Sequence, residues 1–147
     1  MDAINKKILR ELALNARLSN LELSDRVGLS PSACLRRVQE LERTGVITGY
    51  RVQTDRARLG IGFTAYITVG LSIHTKDSQE AFERAISRAP EVIECHNVTG
   101  TVEYLLRVEA ADLAAYKVFH TDVLGTLPQV SAITSYVVMG SPKDSRA

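Results

Sequence analysis

The stretch from Ser30 to Arg43 gathers side chains suited to anions and to the polar edges of bases. Ser30 followed by Pro31 reads as the N-cap and first residue of a helix. A serine oxygen accepts from a free N–H of the first turn, and proline has no N–H to lose there. Projected at ~100° per residue, Cys34, Val38, Leu41 and Leu35 form the expected buried face. Ser32, Arg36, Gln39, Glu40 and Arg43 fall on the opposite side, with Arg37 at the border. A helix so divided suits the major groove of DNA, polar side outward. Arg36 is the candidate base reader, because its planar fork matches O6 and N7 of guanine. Ser30 and Ser32 lie at the positive end of the helix dipole, where a phosphate is favoured. Arg37 suits a phosphate or an internal ion pair.

Little else in the chain offers reactive chemistry. The histidines, His74, His96 and His120, are the usual proton carriers near neutral pH. His120 falls on the apolar stripe of a predicted helix and reads as a core residue. His96 follows Cys95 in a predicted strand, so their side chains point to opposite faces and form no nucleophile–base pair. Cys34 and Cys95 lack partners at metal-ligand spacing and read as buried thiols. No glycine-rich phosphate loop or carboxylate pair stands out. The chain is therefore expected to have no catalytic activity, metal or cofactor.

The candidate reading helix needs a platform. Ile4, Ile8, Leu9 and Leu12 recur at helical spacing and predict a first helix from about Asp2 to Leu14. Ser19 and Glu22 form a capping box for a second helix carrying Leu21, Leu23 and Val27, and Gly28 ends it. The third helix follows after Leu29 and stops at Gly45. Two short helices joined by a tight glycine-containing turn form a helix-turn-helix. Val46–Gln53 has strand character, and 54–62 reads as a linker. From Phe63 to Ile73 every odd residue is apolar, which predicts a strand with one dry face. A helix capped by Asp77 and ended by Pro90 should follow. Strands Val92–Thr99 and Tyr104–Glu109 are joined by a tight turn at Gly100–Glu103. A helix from about Ala111 to Leu127 and a strand Val130–Met139 complete the order. Leu113 and Tyr116 belong to that helix's apolar stripe. The fold class is thus α+β, with a winged-type helix-turn-helix over 1–53 and a ferredoxin-like βαββαβ domain over 63–140. Residues 141–147 are expected to be a flexible tail.

Composition agrees with a globular chain, at 45% hydrophobic and 24% charged residues. No apolar run approaches the ~18–20 residues that cross a bilayer. Met1–Arg10 alternates apolar and charged residues, unlike a signal peptide, so a cytoplasmic location is expected. Up to Gly60 there are 11 Lys and Arg against 7 Asp and Glu, and 7 against 10 beyond it. A basic front suits a polyanion.

Several runs together resemble the Lrp/AsnC family of transcription regulators. They are Arg17-Leu18-Ser19-Asn20, Arg26-Val27-Gly28-Leu29-Ser30-Pro31, Cys34-Leu35-Arg36-Arg37-Val38 and Gly45-Val46-Ile47-Thr48-Gly49-Tyr50. The second half contributes Glu94-Cys95-His96, Thr99-Gly100, Glu103-Tyr104-Leu105-Leu106 and Thr134-Ser135-Tyr136. The resemblance implies a DNA-binding regulator with a RAM-type second domain, which dimerises and often assembles into octamers. It implies that an amino acid or related small molecule modulates assembly or DNA binding. Asn20 to Gln39 would be the helix-turn-helix, and Thr99, Gly100, Thr101, Val102, Glu103 and Tyr104 the effector loop. Thr134 and Tyr136 are expected to line the same cleft. The family loop usually reads Gly, an acid, any residue, Asp, then Tyr or Leu. Here Thr101 replaces the acid and Glu103 the aspartate, leaving one carboxylate for an amino acid's ammonium group.

The sheet face opposite the helices, bearing Tyr66, Thr68, Thr134 and Tyr136, reads as neither dry nor strongly charged, and a second copy would cover it. A symmetric dimer would present recognition helices about 34–36 Å apart along a palindromic site. Two alternatives use the same scaffold. Siroheme decarboxylases resemble this family in fold. The RRM shares the βαββαβ order, but Tyr104–Glu109 lacks its aromatic RNA-stacking pattern.

Overall fold

A short helix is stable only when its ends are satisfied and its apolar stripe is covered. The computed structural model of this chain, which describes residues 1–144, meets both conditions in two compact units, Met1–Gln53 and Thr54–Asp144. Residues 145–147, the end of the expected tail, lie outside the described residues.

The first unit contains α1 (Ala3–Leu14), α2 (Asn20–Val27) and α3 (Pro31–Arg43). Asp2 caps α1 by accepting from the Asn5 N–H at 2.7 Å. The Ser19–Glu22 box closes reciprocally at the start of α2, and Gly28 ends it in the left-handed conformation at φ 77°. Ser30 caps α3 with Pro31 in its first turn. Ile8, Leu23, Val27, Cys34 and Leu41 form the core, flanked by Ile4, Leu9, Leu12, Val38 and Ile47. So small a core covers only a narrow stripe of each helix. Leu21 and Leu35, both assigned to buried faces by projection, are therefore exposed, Leu35 at 46%. Val46–Gln53 forms no strand. Gly45 turns the chain at φ 72°, and the unit contains no other strand for the segment to pair with.

The second unit runs β1 (Phe63–Leu71), α4 (Lys76–Ser87), β2 (Val92–Asn97), β3 (Tyr104–Ala110), α5 (Leu113–Asp122), a 3-10 turn (Leu124–Thr126) and β4 (Val130–Val137). The strands form one antiparallel sheet in the order β2-β3-β1-β4. Phe63, Ala65, Ile67 and Val69 of β1 share a face with Tyr104, Leu106, Val108 and Ala110 of β3. Phe82 and Ile86 of α4, with Tyr116 and Phe119 of α5, complete that core. The Phe82 and Tyr104 rings lie 4.5 Å apart, and those of Phe63 and Tyr116 4.7 Å.

Three local expectations are corrected. Thr75, not Asp77, caps α4, its hydroxyl accepting from the Ser78 N–H. Asp77 instead lies in the first turn, where the dipole favours an acid. The helix ends at Ser87, before Pro90, because the residue preceding a proline avoids the helical conformation. The expected helix Ala111–Leu127 is α5 plus the 3-10 turn, broken at Val123, and Leu113 at its start is exposed.

Candidate nucleic-acid interface and ligand loop

The exposed side of α3 is built by its caps and by the anchors Cys34 and Leu41. Its arginines differ in how they are engaged. Arg37 is half-buried and donates to Asp2 Oδ2 at 2.5 Å and Asn5 Oδ1 at 2.9 Å. The Arg37 hydrogen bond, with the Asn5 N–H, holds the Asp2 carboxyl below its ordinary range. Arg43 is clasped by Glu40 of its own helix at 2.6 and 2.8 Å, which lowers the Glu40 carboxyl and raises the Arg43 guanidinium. Arg36 is exposed and has no hydrogen bond or ion pair among the described residues. Ser32 and Gln39 are exposed beside it. Ser30 Oγ receives the Ala33 N–H at 3.3 Å and lies 3.4 Å from Ser32 Oγ.

Asn20 has a structural task. Its Nδ2 donates to the Pro31 carbonyl at 2.7 Å, fastening the start of α2 to the first turn of α3. Replacing Asn20 with alanine should cost about 1 kcal/mol, the net value of such a bond. Urea unfolding of the parent and the variant will measure it. Tyr50 similarly donates to Glu42 Oε1 at 2.8 Å, and desolvation together with that carboxylate pushes its hydroxyl up to about 12.

In the second unit the turn between β2 and β3 places Thr99, Gly100 and Thr101 in the open, with Val102 and Glu103 half-buried. Gly100 has φ 132°, a conformation that favours glycine. The Val98 N–H donates to the Glu103 carbonyl at 2.9 Å, and the Glu103 N–H to the Val69 carbonyl at 3.1 Å. Both carboxylate oxygens of Glu103 are engaged: Oε2 accepts from the Leu71 N–H at 2.6 Å, and Oε1 lies 2.8 Å from His74 Nδ1. Sequence reasoning missed His74 and the Leu71 amide, because neither carries a local signal. Tyr104 departs from the expected loop. It is 1% exposed in the core and donates to Glu83 Oε1 at 2.7 Å, and burial with that carboxylate raises its hydroxyl strongly. Thr134 and Tyr136 pair with Thr68 and Tyr66 in the sheet. They lie on β4, on the other side of β1 from β3.

The face opposite α4 and α5 holds more charge than its sequence suggested. Arg107, with its side chain 7% exposed, donates to Glu109 Oε1 at 2.9 Å and to the Tyr66 hydroxyl at 2.9 Å. Its guanidinium carbon lies 5.5 Å from the Tyr66 ring centre. Arg56, from the 54–62 stretch, bonds the other oxygen of Glu109. Arg56 Nε and Arg107 Nε are buried without partners.

The two cysteines and the other two histidines differ in exposure. Cys34 is buried, whereas Cys95 lies exposed on the edge strand β2, against expectation. Its thiol is still partly desolvated and near Glu83, which pushes it up to about 11. His96 Nε2 lies 3.4 Å from Glu94, and His120 is half-buried with its ring edge-on to Tyr116. Among the described residues no three metal-ligating side chains gather, and no helix is long and apolar enough to cross a membrane.

Residues 64–147 match the family described as the Lrp/AsnC ligand binding domain, and residues 1–48 match a winged helix-turn-helix DNA-binding family. The chain belongs to the Lrp/AsnC family. It is 39% identical over 145 residues to the leucine-responsive regulatory protein of Escherichia coli, covering 99% of this chain and 88% of that one. A transcriptional regulator from Neisseria meningitidis, solved as its L-Met complex, superposes with a TM-score of 0.94 at 36% identity. The match covers 98% of this chain and 93% of that chain. An AsnC family regulator from Agrobacterium tumefaciens gives 0.93 at 31% identity, covering 98% and 94%. This Lrp/AsnC protein is therefore a DNA-binding transcriptional regulator with a ligand-binding domain, not an enzyme.

Proposed function

We propose that α3 reads base edges in the major groove, with Arg36 as the principal reader. The observation that carries this reading is the contrast among three arginines on one helix. Arg37 and Arg43 are engaged by Asp2 and Glu40, whereas Arg36 is exposed and uncommitted. Ser30, Ser32 and Gln39 are assigned to phosphate or base contacts beside it, and Arg43, exposed although paired with Glu40, to a phosphate. Asn20 and Arg37 hold the helix-turn-helix in shape. Selecting duplexes from a random pool, then comparing the winner with a scrambled duplex at fixed salt, tests the reading. Equal affinity for both would reject it.

We further propose that the effector is an amino acid held at Thr99, Gly100, Thr101, Val102 and Glu103, with its ammonium group on Glu103. Support comes from the one half-buried carboxylate at this turn and from the L-Met complex of the Neisseria relative. Glu103→Gln keeps the acceptor for the Leu71 N–H but removes the charge. It should weaken amino-acid binding about 10- to 150-fold, the worth of a charge-assisted bond. Calorimetric titration with L-methionine and L-leucine checks this, and unchanged affinity would reject the assignment.

The protein is proposed to act in the cytoplasm as a homodimer that assembles toward an octamer. The sheet face bearing Thr134 and Tyr136, where Tyr136 remains exposed, would be the dimer surface. Light scattering on the purified chain gives the count in multiples of 16.1 kDa.

A further inference from the structure

Leu35 is the exposed large apolar side chain of the reading helix. It is 46% exposed, although burying a leucine is favourable and its neighbours Cys34 and Leu41 achieve it. On a helix, residues three and four apart share a face. Leu35 therefore adjoins Ser32 and Gln39, both exposed, and Arg36 follows it directly. The result is one apolar side chain among hydrogen-bonding ones on the side proposed to enter the groove. Among base edges in the major groove, thymine alone presents a methyl group, and an apolar side chain recognises it by excluding water.

We propose that Leu35 is a specificity-determining residue that covers a thymine methyl in the major groove, next to the base pair read by Arg36. This inference rests on the assignment of α3 as the reading helix. The isobutyl group has no hydrogen-bonding capacity, so its contribution is selective: it favours thymine and gains nothing from cytosine in the same place. Together, Arg36 and Leu35 would read a guanine and a thymine on neighbouring steps.

Deoxyuridine tests the inference cleanly, since it differs from thymidine by that methyl alone. A fluorescent duplex carrying the site selected by the full-length protein is remade with each thymine replaced in turn. At one position per half-site the parent should bind about 4-fold more weakly, the worth of one methyl group returned to water. Leu35→Ala should bind the thymine and uracil duplexes equally at that position. Leu35→Met, still apolar and long enough to reach, should retain the discrimination. Both variants should unfold at the parent's temperature, because Leu35 lies outside the core. If the parent tolerates uracil at every position, or selects a site without thymine, Leu35 does not read a methyl. The same holds if Leu35→Ala keeps the full uracil penalty. The assignment of α3 has a separate test: it fails if the parent binds the selected and scrambled duplexes equally.

Discussion

Arg36→Ala should bind the selected site and a scrambled duplex almost equally, losing about 5- to 150-fold of discrimination. That range follows from the ~1–3 kcal/mol that a bidentate arginine–guanine contact contributes against the wrong base. Part of the affinity should survive, because phosphate contacts depend on charge and carry no sequence information. The slope of log affinity against log salt should fall by at most about one phosphate's worth. Anisotropy titrations with both duplexes at several salt concentrations separate the two effects. Arg37→Ala makes an informative comparison. Its guanidinium is held by Asp2 and Asn5, so its loss should act mainly on stability and leave the ratio of affinities intact. Should Arg37→Ala abolish discrimination while Arg36→Ala preserves it, the two roles would have to be exchanged.

The second large effect concerns the sheet. Glu109 has a side chain only 3% exposed and bonds two arginines, Arg107 and Arg56. Glu109→Ala leaves the Arg107 charge buried without its counter-ion. Removing one partner of a buried pair costs ~3–5 kcal/mol, because the remaining charge keeps its desolvation penalty. For a unit of this size the melting temperature should fall by more than about 10 °C. The double variant Arg107→Met with Glu109→Leu removes both charges and should recover most of the loss. Differential scanning calorimetry on the three proteins decides the matter. If the single variant melts with the parent, the network contributes nothing to stability.

What the sequence made legible was local. The odd-numbered apolar run of β1 announced its dry face because a strand's period is two, and the core holds those residues. The Ser19–Glu22 box, Ser30-Pro31 and Gly28 marked helix ends because caps act over three or four residues. Thr75 was missed because Asp77 and Glu80 fit the same capping pattern two residues later. Long-range pairings were not legible. Asp2 meets Arg37 across 35 residues and Arg56 meets Glu109 across 53, and no spacing rule connects them. For the same reason α3 displayed which residues it offers outward without revealing which are already engaged. Tyr104 was drawn into the expected loop by its neighbours in sequence, whereas the strand's alternation sends it into the core. His74 lay beyond the end of β1, where periodicity ceases to inform.

Glu103 is never idle: one oxygen steadies the Leu71 amide where the β1–β4 register shifts, and the other faces His74. An amino acid bound at this carboxylate, as proposed above, gains the difference between its own contact and the one it displaces. In the proposed site, a change of residue at position 74 would therefore shift the affinity for the amino acid while leaving Glu103 to hold its ammonium group.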